Sequence, residues 1–532
     1  MNNSNIFYLK KELSKIQGLF IKKEFSLVIK KSKILLRKNP EQPIIYNLIG
    51  LSHLELNEPE KALKIFLLAI EKISSNDPSI FCNIGNTYKK FGDLRRSKEY
   101  YNKSLTLNSE HVPSLINLGH LANTLRQSER ATKYYSDAYR VNNNSEEVLI
   151  YSILNYSSNG NFSEAKKIIT ELNNKFPNNT KSYQLFSKIH KYKIEDPHQK
   201  IMLDKIKDQD LNYEDLSNLY FALAKSFFDQ KNIEKFVYYT DKANKTKFKT
   251  FGNYNLQLEE NKFKQITKHF QNFQFHDYSN NKGENLIFIL GLPRSGTTLL
   301  HQIISAHSNA FGAEESFFLS GFLDEKFKDE NSFTQFFSKE LMNKDLVSKL
   351  SDDILSNYKL YDEKKIIVDK MPFNFKWIGF IKILFPKAKI IHSNRNIIDS
   401  TFSIYRNLFD APKMGWAYNE DYLVKYVNLY NDLMSFWQAK IGNSIYEYYY
   451  EELVANQVDE TRKILKFCNL EFEDGCINYT KNKIAVSTVS TSQAREKIYK
   501  SSVNLSEKYL NYFPFLNGIK KRPLKKGPFK IK

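Results

Sequence analysis

The stretch LIFILGLPRSGTTLL, residues 286–300, decides the fold of the second half of the chain. Its first five residues form a short, continuous apolar run bounded by turn residues, which predicts a buried parallel strand. Residues 297–307 have the apolar spacing of an amphipathic helix. A loop between a strand and a helix N-terminus directs backbone N–H groups at one point, so the sequence predicts an anion-binding loop.

The side chains of this loop indicate which anion it binds. Gly291 and Gly296 keep the spacing of the nucleotide-binding pattern G-x-x-x-x-G-K-[ST], and Thr298 keeps its hydroxyl, but Thr297 replaces the lysine. Because that lysine contacts the β- and γ-phosphates, its absence disfavours a kinase or a GTPase. Arg294 lies inside the loop, where a guanidinium can bind phosphate or sulfate through two parallel hydrogen bonds. The alternative is a strand-to-helix turn of unrelated use.

An internal repeat of 34 to 35 residues occupies the first half of the chain. The glycines at its centre recur together with small and aromatic residues at fixed positions, and the units are Gly50/Ala62/Phe66/Ala69, Gly85/Ser97/Tyr101/Ser104 and Gly119/Ala131/Tyr135/Ala138. Small residues allow two antiparallel helices to approach, and the aromatic residue fills the space between hairpins, as in tetratricopeptide repeats. We predict five units over about 9–180, a further hairpin at 220–245, and an α-solenoid over 1–270 that binds a protein or peptide.

Composition limits the class of protein. The chain has 532 residues, a net charge of +20, and 41% hydrophobic and 14% aromatic residues, which predicts several packed domains rather than a disordered chain. The positive charge suits an anionic ligand, nucleic acid or an anionic membrane surface. A composition rich in Lys, Asn and Ile explains the charge equally well, and we predict no nucleic-acid partner.

Cysteine usage and the N-terminus indicate a compartment. Cys82, Cys468 and Cys476 are widely spread, which favours a reducing environment over a disulfide framework. The first residues lack the apolar core of a signal peptide, and no run approaches ~20 apolar residues. No Cys/His cluster has metal-ligand spacing. We therefore predict a cytoplasmic protein without a transmembrane segment or a bound metal.

The segment PRSGTTL, 293–299, resembles the 5′-phosphosulfate loop of sulfotransferases that use 3′-phosphoadenosine 5′-phosphosulfate. Within that group it is most similar to the tyrosylprotein sulfotransferases and to bacterial proteins that carry tetratricopeptide repeats before such a domain. The resemblance covers about 283–515. It implies an α/β, P-loop-like sulfotransferase domain with a parallel sheet over 283–525, which transfers the sulfuryl group to a hydroxyl acceptor, with a protein tyrosine as one candidate.

Further motifs follow in the order of that family. GAEE at 312–315 resembles its Gly-Glu-Glu segment without the family's cysteine, DKMPF at 369–373 its Lys-x-Pro-Phe segment, and SNRNIIDSTFSIYRN at 393–407 its 3′-phosphate motif. YEELV at 450–454 and STSQ at 490–493 resemble its late motifs. The resemblance implies the following site residues: catalytic Glu315 as base, with Lys370, Arg294 and Ser490 on the sulfuryl group; donor-binding Arg294, Ser295, Gly296, Thr297, Thr298, Arg395, Ser403, Tyr450 and Lys508.

Each of these residues also has a purely structural explanation. Glu315 fits a carboxylate at a helix N-terminus, Lys370 a surface lysine, Arg395 a partner of Asp399, and Tyr450 a packing aromatic. His307 and His392 fit no motif and are expected to be structural. For the whole chain, the alternative function is a tetratricopeptide scaffold whose second domain binds a nucleotide without catalysis. The acceptor stays open between a protein tyrosine, a sugar, a lipid headgroup and a small alcohol.

Overall fold

The computed structural model describes residues 3–73, 77–275, 281–327, 329–341, 343–362, 365–409, 414–481 and 495–520. The chain divides into two compact units, Met1–Asn155 and Tyr156–Lys532. No helix within these ranges is long and apolar enough to cross a membrane.

The first unit is an array of antiparallel helical hairpins. Its helices are α1 (Asn3–Ile21), α2 (Phe25–Lys38), α3 (Pro43–Glu55), α4 (Pro59–Ile73), α5 (Pro78–Lys90), α6 (Leu94–Leu107), α7 (Val112–Thr124), α8 (Ser128–Val141) and most of α9 (Glu146–Ser158). Helices α3, α5 and α7 have a proline in the first two helical positions, where its fixed φ favours helix initiation.

The repeated glycines and aromatic residues meet as the period predicts. A Cβ atom at Gly50 would lie 2.3 Å from the Phe66 ring, and one at Gly85 would lie 2.5 Å from the Tyr101 ring. Both rings are completely buried. Glycine is required because the two helices of each hairpin approach within the width of one aromatic ring.

The second unit begins with helices that complete the helical half and then pack on the α/β part. These are α10 (Phe162–Lys175), α11 (Lys181–Ile189), α12 (Pro197–Lys205), α13 (Tyr213–Asp229), α14 (Ile233–Lys249) and α15 (Gln257–Phe270). The Phe270 ring lies 5.1 Å from the rings of Phe380 and Trp437. The division between the two compact units, after Asn155, therefore lies earlier in the chain than the predicted division between 270 and 283. The predicted limits 1–270 and 283–525 follow the repeat pattern and stay a prediction.

Five parallel strands form the sheet of the second unit, in the order β2-β3-β1-β4-β5. The strands are β1 (Leu286–Gly291), β2 (Ala310–Glu314), β3 (Ile366–Lys370), β4 (Lys389–Asn394) and β5 (Ile445–Tyr449). The central strand β1 is buried along its whole length. The predicted class, a helical repeat array followed by an α/β domain with a parallel sheet, is confirmed.

Helices and turns connect the strands and cover the sheet. The helices are α16 (Thr297–Ser305), α17 (Ser320–Lys326), α18 (Glu330–Gln335), α19 (Lys344–Tyr358), α20 (Ile378–Leu384), α21 (Ile397–Tyr405), α22 (Glu420–Ile441), α23 (Tyr450–Ala455), α24 (Gln457–Phe467) and α25 (Asp474–Ile477). The last described segment, 495–520, contains short 3₁₀ turns and is called the strap. The carboxyl ends of parallel strands share one edge, and this edge carries the candidate site.

Candidate functional site

Neighbouring backbone and side chains hold the loop after β1 in a compact conformation. Gly291, Arg294 and Gly296 have φ angles of 147°, 72° and 94°, in the region that favours glycine. A Cβ atom at Gly291 would lie 2.7 Å from the Ser393 carbonyl oxygen, and one at Gly296 would lie 2.6 Å from the Tyr450 ring. Glycine is therefore required at both positions, while Arg294 carries the backbone strain that often marks functional turns.

Polar groups of this loop are available to an anion. Gly296 is the N-cap of α16, so the first amides of the helix, from Thr297 and Thr298, have no acceptor within the helix. Ser295 is buried, and its Oγ atom has no hydrogen-bond partner among the described residues. Ser393 donates from its hydroxyl to the Ser295 carbonyl oxygen at 2.8 Å and fixes the loop from β4.

Three arginines converge beside the loop. Arg294 Nε donates to Ser403 Oγ at 3.0 Å, and an Arg395 terminal nitrogen donates to the Arg294 carbonyl oxygen at 3.1 Å. The Arg406 guanidinium stacks on Phe228 at 4.3 Å. Burial, together with repulsion from neighbouring arginines, lowers the pKa of Arg294 and of Arg406 to about 10. A bound anion would relieve this repulsion, so the cluster is suited to an anionic ligand.

Two of the three guanidinium groups retain hydrogen-bonding capacity. The Nε atoms of Arg395 and Arg406 are buried and have no hydrogen-bond partner within the described part of the chain. Buried N–H groups are ordinarily paired. The arrangement therefore fits a bound phosphate or sulfate that accepts these hydrogen bonds.

The strap closes over Arg395 and Tyr450. Arg395 donates to the Ser502 carbonyl oxygen at 2.6 Å, and the Tyr450 hydroxyl lies 2.7 Å from Ser502 Oγ. The Asp399 carboxylate accepts from the amides of Asn504 and Ser506, both at 2.8 Å, and approaches Arg395 only to 4.0 Å. Asp399 therefore anchors the strap more than it neutralises the arginine.

An ion pair lies at the ends of β2 and β3. Lys370 Nζ donates to Glu315 Oε1 at 2.7 Å, and the exposed fractions of the two side chains are 0% for Lys370 and 40% for Glu315. A β-bulge interrupts the pairing of β2 between Gly312 and Glu314, and Glu314 has a φ of 56°. Its amide donates to Nε2 of His301 on α16 at 3.1 Å. The bulge thus re-aims the chain so that Glu315 faces solvent.

Asp369 is buried next to this pair. The Tyr358 hydroxyl donates to its Oδ2 atom at 2.5 Å, and the Asn374 amide lies 3.4 Å from Oδ1. Burial raises the pKa of Asp369 to about 7, although Tyr358, Lys370 and Ser316 favour its ionised form. A carboxylate in this setting is costly and is held in place by several donors.

The structure brings most of the predicted site residues to one edge of the sheet. The loop and the start of α16 contain Arg294, Ser295, Gly296, Thr297 and Thr298. Beside them lie Arg395, Ser403 and Tyr450, and the pair on the adjacent strands consists of Glu315 and Lys370. Ser490 lies outside the described residues. Lys508 is exposed and makes no hydrogen bond or ion pair with another described residue. Its predicted contact with the donor stays a prediction.

Sequence reasoning missed Arg406 and Ser502. Arg406 follows Ser403 by three residues at the end of α21, and side chains three apart share one face of a helix. The spacing of three residues from Ser403 is therefore the sequence signal that could have placed Arg406 beside Ser403. Ser502 carries no comparable signal, because its role depends on the path of the strap.

The two histidines behave as structural residues. His392 lies 3.1 Å from the Glu447 carboxylate and 2.6 Å from the Tyr430 hydroxyl. His307 Nε2 lies 3.0 Å from the Glu471 carbonyl oxygen. Within the described ranges, no group of three or more His, Cys, Asp or Glu side chains is arranged to hold a metal ion.

Comparisons with known proteins agree with these features. Residues 286–474 match the sulfotransferase family, and residues 78–111 match the tetratricopeptide repeat. An uncharacterized protein of Aquifex aeolicus is 34% identical over 42% of this chain and 31% of its own length. The protein-tyrosine sulfotransferase of Drosophila melanogaster is 26% identical over 38% of this chain and 41% of its own length. The chain thus spans less than half the length of these two relatives.

Solved structures of other proteins also align with parts of this chain. The sulfotransferase domain of the Synechococcus PCC 7002 olefin synthase aligns with 45% of this chain and 96% of its own, at 17% identity and a TM-score of 0.32. A tetratricopeptide repeat protein of Parabacteroides merdae aligns with 46% of this chain and 94% of its own, at 19% identity and a TM-score of 0.31. The family matches and the named relatives confirm the resemblance predicted from the motifs.

Proposed function

We propose that this chain transfers the sulfuryl group of 3′-phosphoadenosine 5′-phosphosulfate to a hydroxyl acceptor. The observation that carries the proposal is the cluster of Arg294, Arg395 and Arg406 beside a phosphate loop that lacks the lysine of nucleotide hydrolases. A donor with phosphate groups at both the 5′ and 3′ positions needs two anion sites, and ATP needs only the first. The match of 286–474 to the sulfotransferase family supports the same class of reaction.

The loop and the arginines bind different groups of the donor. The amides at the start of α16, with Ser295, Thr297 and Thr298, bind the 5′-phosphosulfate. Arg395, Ser403 and Arg406 bind the 3′-phosphate. The buried Nε atoms of Arg395 and Arg406 support this assignment, because a phosphate supplies the missing acceptors.

The reaction is an in-line displacement at sulfur. The acceptor oxygen forms a bond to sulfur while the bond between sulfur and the 5′-phosphate oxygen breaks, and the phosphate leaves as adenosine 3′,5′-bisphosphate. Glu315 accepts the proton of the acceptor hydroxyl, for which its carboxylate must come within about 3 Å of that oxygen. Lys370, Arg294 and Ser490 stabilise the charge on the oxygens around sulfur.

Binding measurements test this function against its alternatives. Isothermal titration of the full chain compares adenosine 3′,5′-bisphosphate with ATP and with AMP. We expect the bisphosphate to bind much more tightly than either, since only it engages both anion sites. Equal affinities, or no binding, would refute the sulfotransferase assignment, while tight binding without turnover on any acceptor would favour the catalytically inactive scaffold.

We further propose a polypeptide acceptor that is recruited through the repeats. The support is the direct fusion of a tetratricopeptide array to the catalytic half and the similarity to protein-tyrosine sulfotransferases. The full chain with radiolabelled donor is offered a library of tyrosine peptides and a panel of sugars and small alcohols. Labelled peptides are the expected product. Label on small acceptors alone would exclude the polypeptide acceptor and leave sulfuryl transfer in place.

A further inference from the structure

The strap, residues 495–520, begins against the turn of a helical hairpin. Arg495 donates from a terminal nitrogen to the Ser158 carbonyl oxygen at 2.6 Å. Ser158 is the last residue of α9, and the carboxyl end of a helix favours a positive charge. This hydrogen bond therefore ties the start of the strap to the turn between α9 and α10.

Gly160 in this turn allows the guanidinium to approach. A Cβ atom at Gly160 would lie 3.0 Å from the Cζ atom of Arg495 and 3.1 Å from its Nε atom. Gly160 has a φ of 81°, but the equivalent positions of other hairpin turns, Lys23, Asn57 and Arg126, hold left-handed backbone without glycine. The backbone conformation alone thus tolerates a side chain in such a turn, whereas a side chain at position 160 would displace the arginine.

Seven residues after Arg495, the strap reaches the arginine cluster at Ser502. Arg395 donates to the Ser502 carbonyl oxygen at 2.6 Å and stacks on the Tyr450 ring at 5.0 Å. The Tyr450 hydroxyl in turn lies 2.7 Å from Ser502 Oγ. Ser502 therefore fixes both the Arg395 guanidinium and the ring on which that guanidinium lies.

The strap is held on both sides of Ser502. After it, the Asp399 carboxylate accepts from two amides of the strap, both at 2.8 Å. Before it lie the hydrogen bond of Arg495 and that of the Glu496 carbonyl oxygen, which accepts from the Tyr479 hydroxyl at 2.9 Å. A surface segment with few anchors opens locally, so loss of the Arg495 contact would loosen the residues that lead to Ser502.

We propose that Arg495 is a positioning residue for the donor: it holds the strap on the turn at Gly160 and so keeps Arg395 oriented for the 3′-phosphate. Arg495 acts through the strap rather than by contact with the donor. The proposal rests on the proposed function, since that function assigns the 3′-phosphate to Arg395. It predicts that loosening the contact weakens binding of the 3′-phosphate and leaves binding of the 5′-phosphate unchanged.

Substitutions on the two sides of the contact test this role in the full chain. Arg495→Ala removes the hydrogen-bond donor, and Gly160→Asn places a side chain against the guanidinium in a conformation that asparagine adopts at position 57. Each should weaken binding of adenosine 3′,5′-bisphosphate by about 5- to 30-fold, because only molecules with an ordered strap bind at full affinity. Arg495→Lys, which keeps a charged donor, should lose less. AMP, which lacks the 3′-phosphate, should bind within about twofold of its wild-type affinity in every variant, since it does not use Arg395.

Hydrogen–deuterium exchange of the free chain provides a readout that needs no ligand. The peptide that covers residues 496–503 should exchange faster in Arg495→Ala and Gly160→Asn than in the wild type. Gly92→Asn is the matched control, because Gly92 occupies the equivalent position of another hairpin turn with a φ of 76°. A Cβ atom there would meet no described atom within 4 Å beyond its chain neighbours. The control should leave both exchange and affinity unchanged.

The outcomes distinguish the inference from the function. Unchanged exchange or unchanged bisphosphate affinity in Arg495→Ala and Gly160→Asn, with tight binding by the wild type, would overturn the positioning role alone. So would an equal loss of affinity for AMP, which would indicate a general loss of structure. A wild-type chain that does not bind the bisphosphate would overturn the proposed function, and the positioning role with it.

Discussion

Replacement of Arg406 by methionine should weaken donor binding and stabilise the free protein. Methionine keeps an unbranched stem against Phe228 but removes the charge from the arginine cluster. If Arg406 binds the 3′-phosphate in a desolvated pair, its loss costs about 2 kcal/mol or more, which is about 30-fold or more in affinity. Burial and repulsion lower the pKa of Arg406 to about 10, which corresponds to a cost of at most about 3 kcal/mol in folding free energy while the side chain is charged at neutral pH.

The stability effect is the smaller of the two and has the opposite sign. Removing the charge relieves up to about 3 kcal/mol, and losing the cation–π contact with Phe228 costs about 1–2 kcal/mol, so we expect a net gain of about 1–2 kcal/mol. The sign agrees with linkage, because a base with a lowered pKa in the folded state costs stability wherever it is charged.

Titration calorimetry with adenosine 3′,5′-bisphosphate measures the affinity, and thermal unfolding of the free chain measures the stability. Arg462→Met is the matched control, since Arg462 is an exposed arginine stacked on Phe472 at 3.7 Å, and it should leave donor affinity unchanged. A variant of Arg406 that melts at a lower temperature and binds the bisphosphate normally would refute the reasoning. Arg406 would then be a packing residue for α13.

Three further outcomes are expected. Arg395→Ala should abolish measurable donor binding, because it removes both a buried anion contact and the hydrogen bond to the Ser502 carbonyl oxygen; calorimetric binding close to that of the wild type would contradict it. Glu315→Ala should lower turnover by about 10²–10⁴-fold with donor binding kept, and near-normal turnover would move the base elsewhere, to Glu314 first. Asp369 has its pKa raised from 3.8 to about 7 on folding, so the folded state binds the extra proton and stability falls as pH rises from about 4 to 7. Asp369→Asn should flatten that part of the curve of melting temperature against pH, and an unaltered slope would assign the dependence to another group.

Features set by local pattern could be predicted from the sequence. The strand at 286–290 and the loop with Gly291 and Gly296 follow from a short apolar run and from glycine spacing. The hairpins follow from a period, because each unit places Gly50 or its equivalent against an aromatic residue of the same unit. These contacts join residues close in sequence, and the spacing itself carries the information.

Features set by distant contacts could not be predicted in the same way. The Arg294–Ser403 hydrogen bond joins residues 109 apart, and the Lys370–Glu315 contact joins residues 55 apart. Family motifs indicated that these residues share a site, but not that they touch. The left-handed backbone of Glu314 arises from the bulge in the pairing of β2 with β3. A glutamate at position 314 does not predict a positive φ angle, because glycine is the residue that usually adopts one.

The helices α13 and α14 show why repeat pattern and compactness divide the chain differently. The sequence of these helices predicts a hairpin of the repeat type. In the structure, Phe228 on α13 lies under the Arg406 guanidinium, and Asn244 on α14 donates to the Tyr405 carbonyl oxygen at 2.9 Å. Both contacts fix the carboxyl end of α21, the helix that carries Ser403. An α/β domain that began after α15 would leave that end of α21, with its buried arginine, exposed to water. The hairpin is therefore part of the arginine cluster's support, and the compact unit has to begin before it.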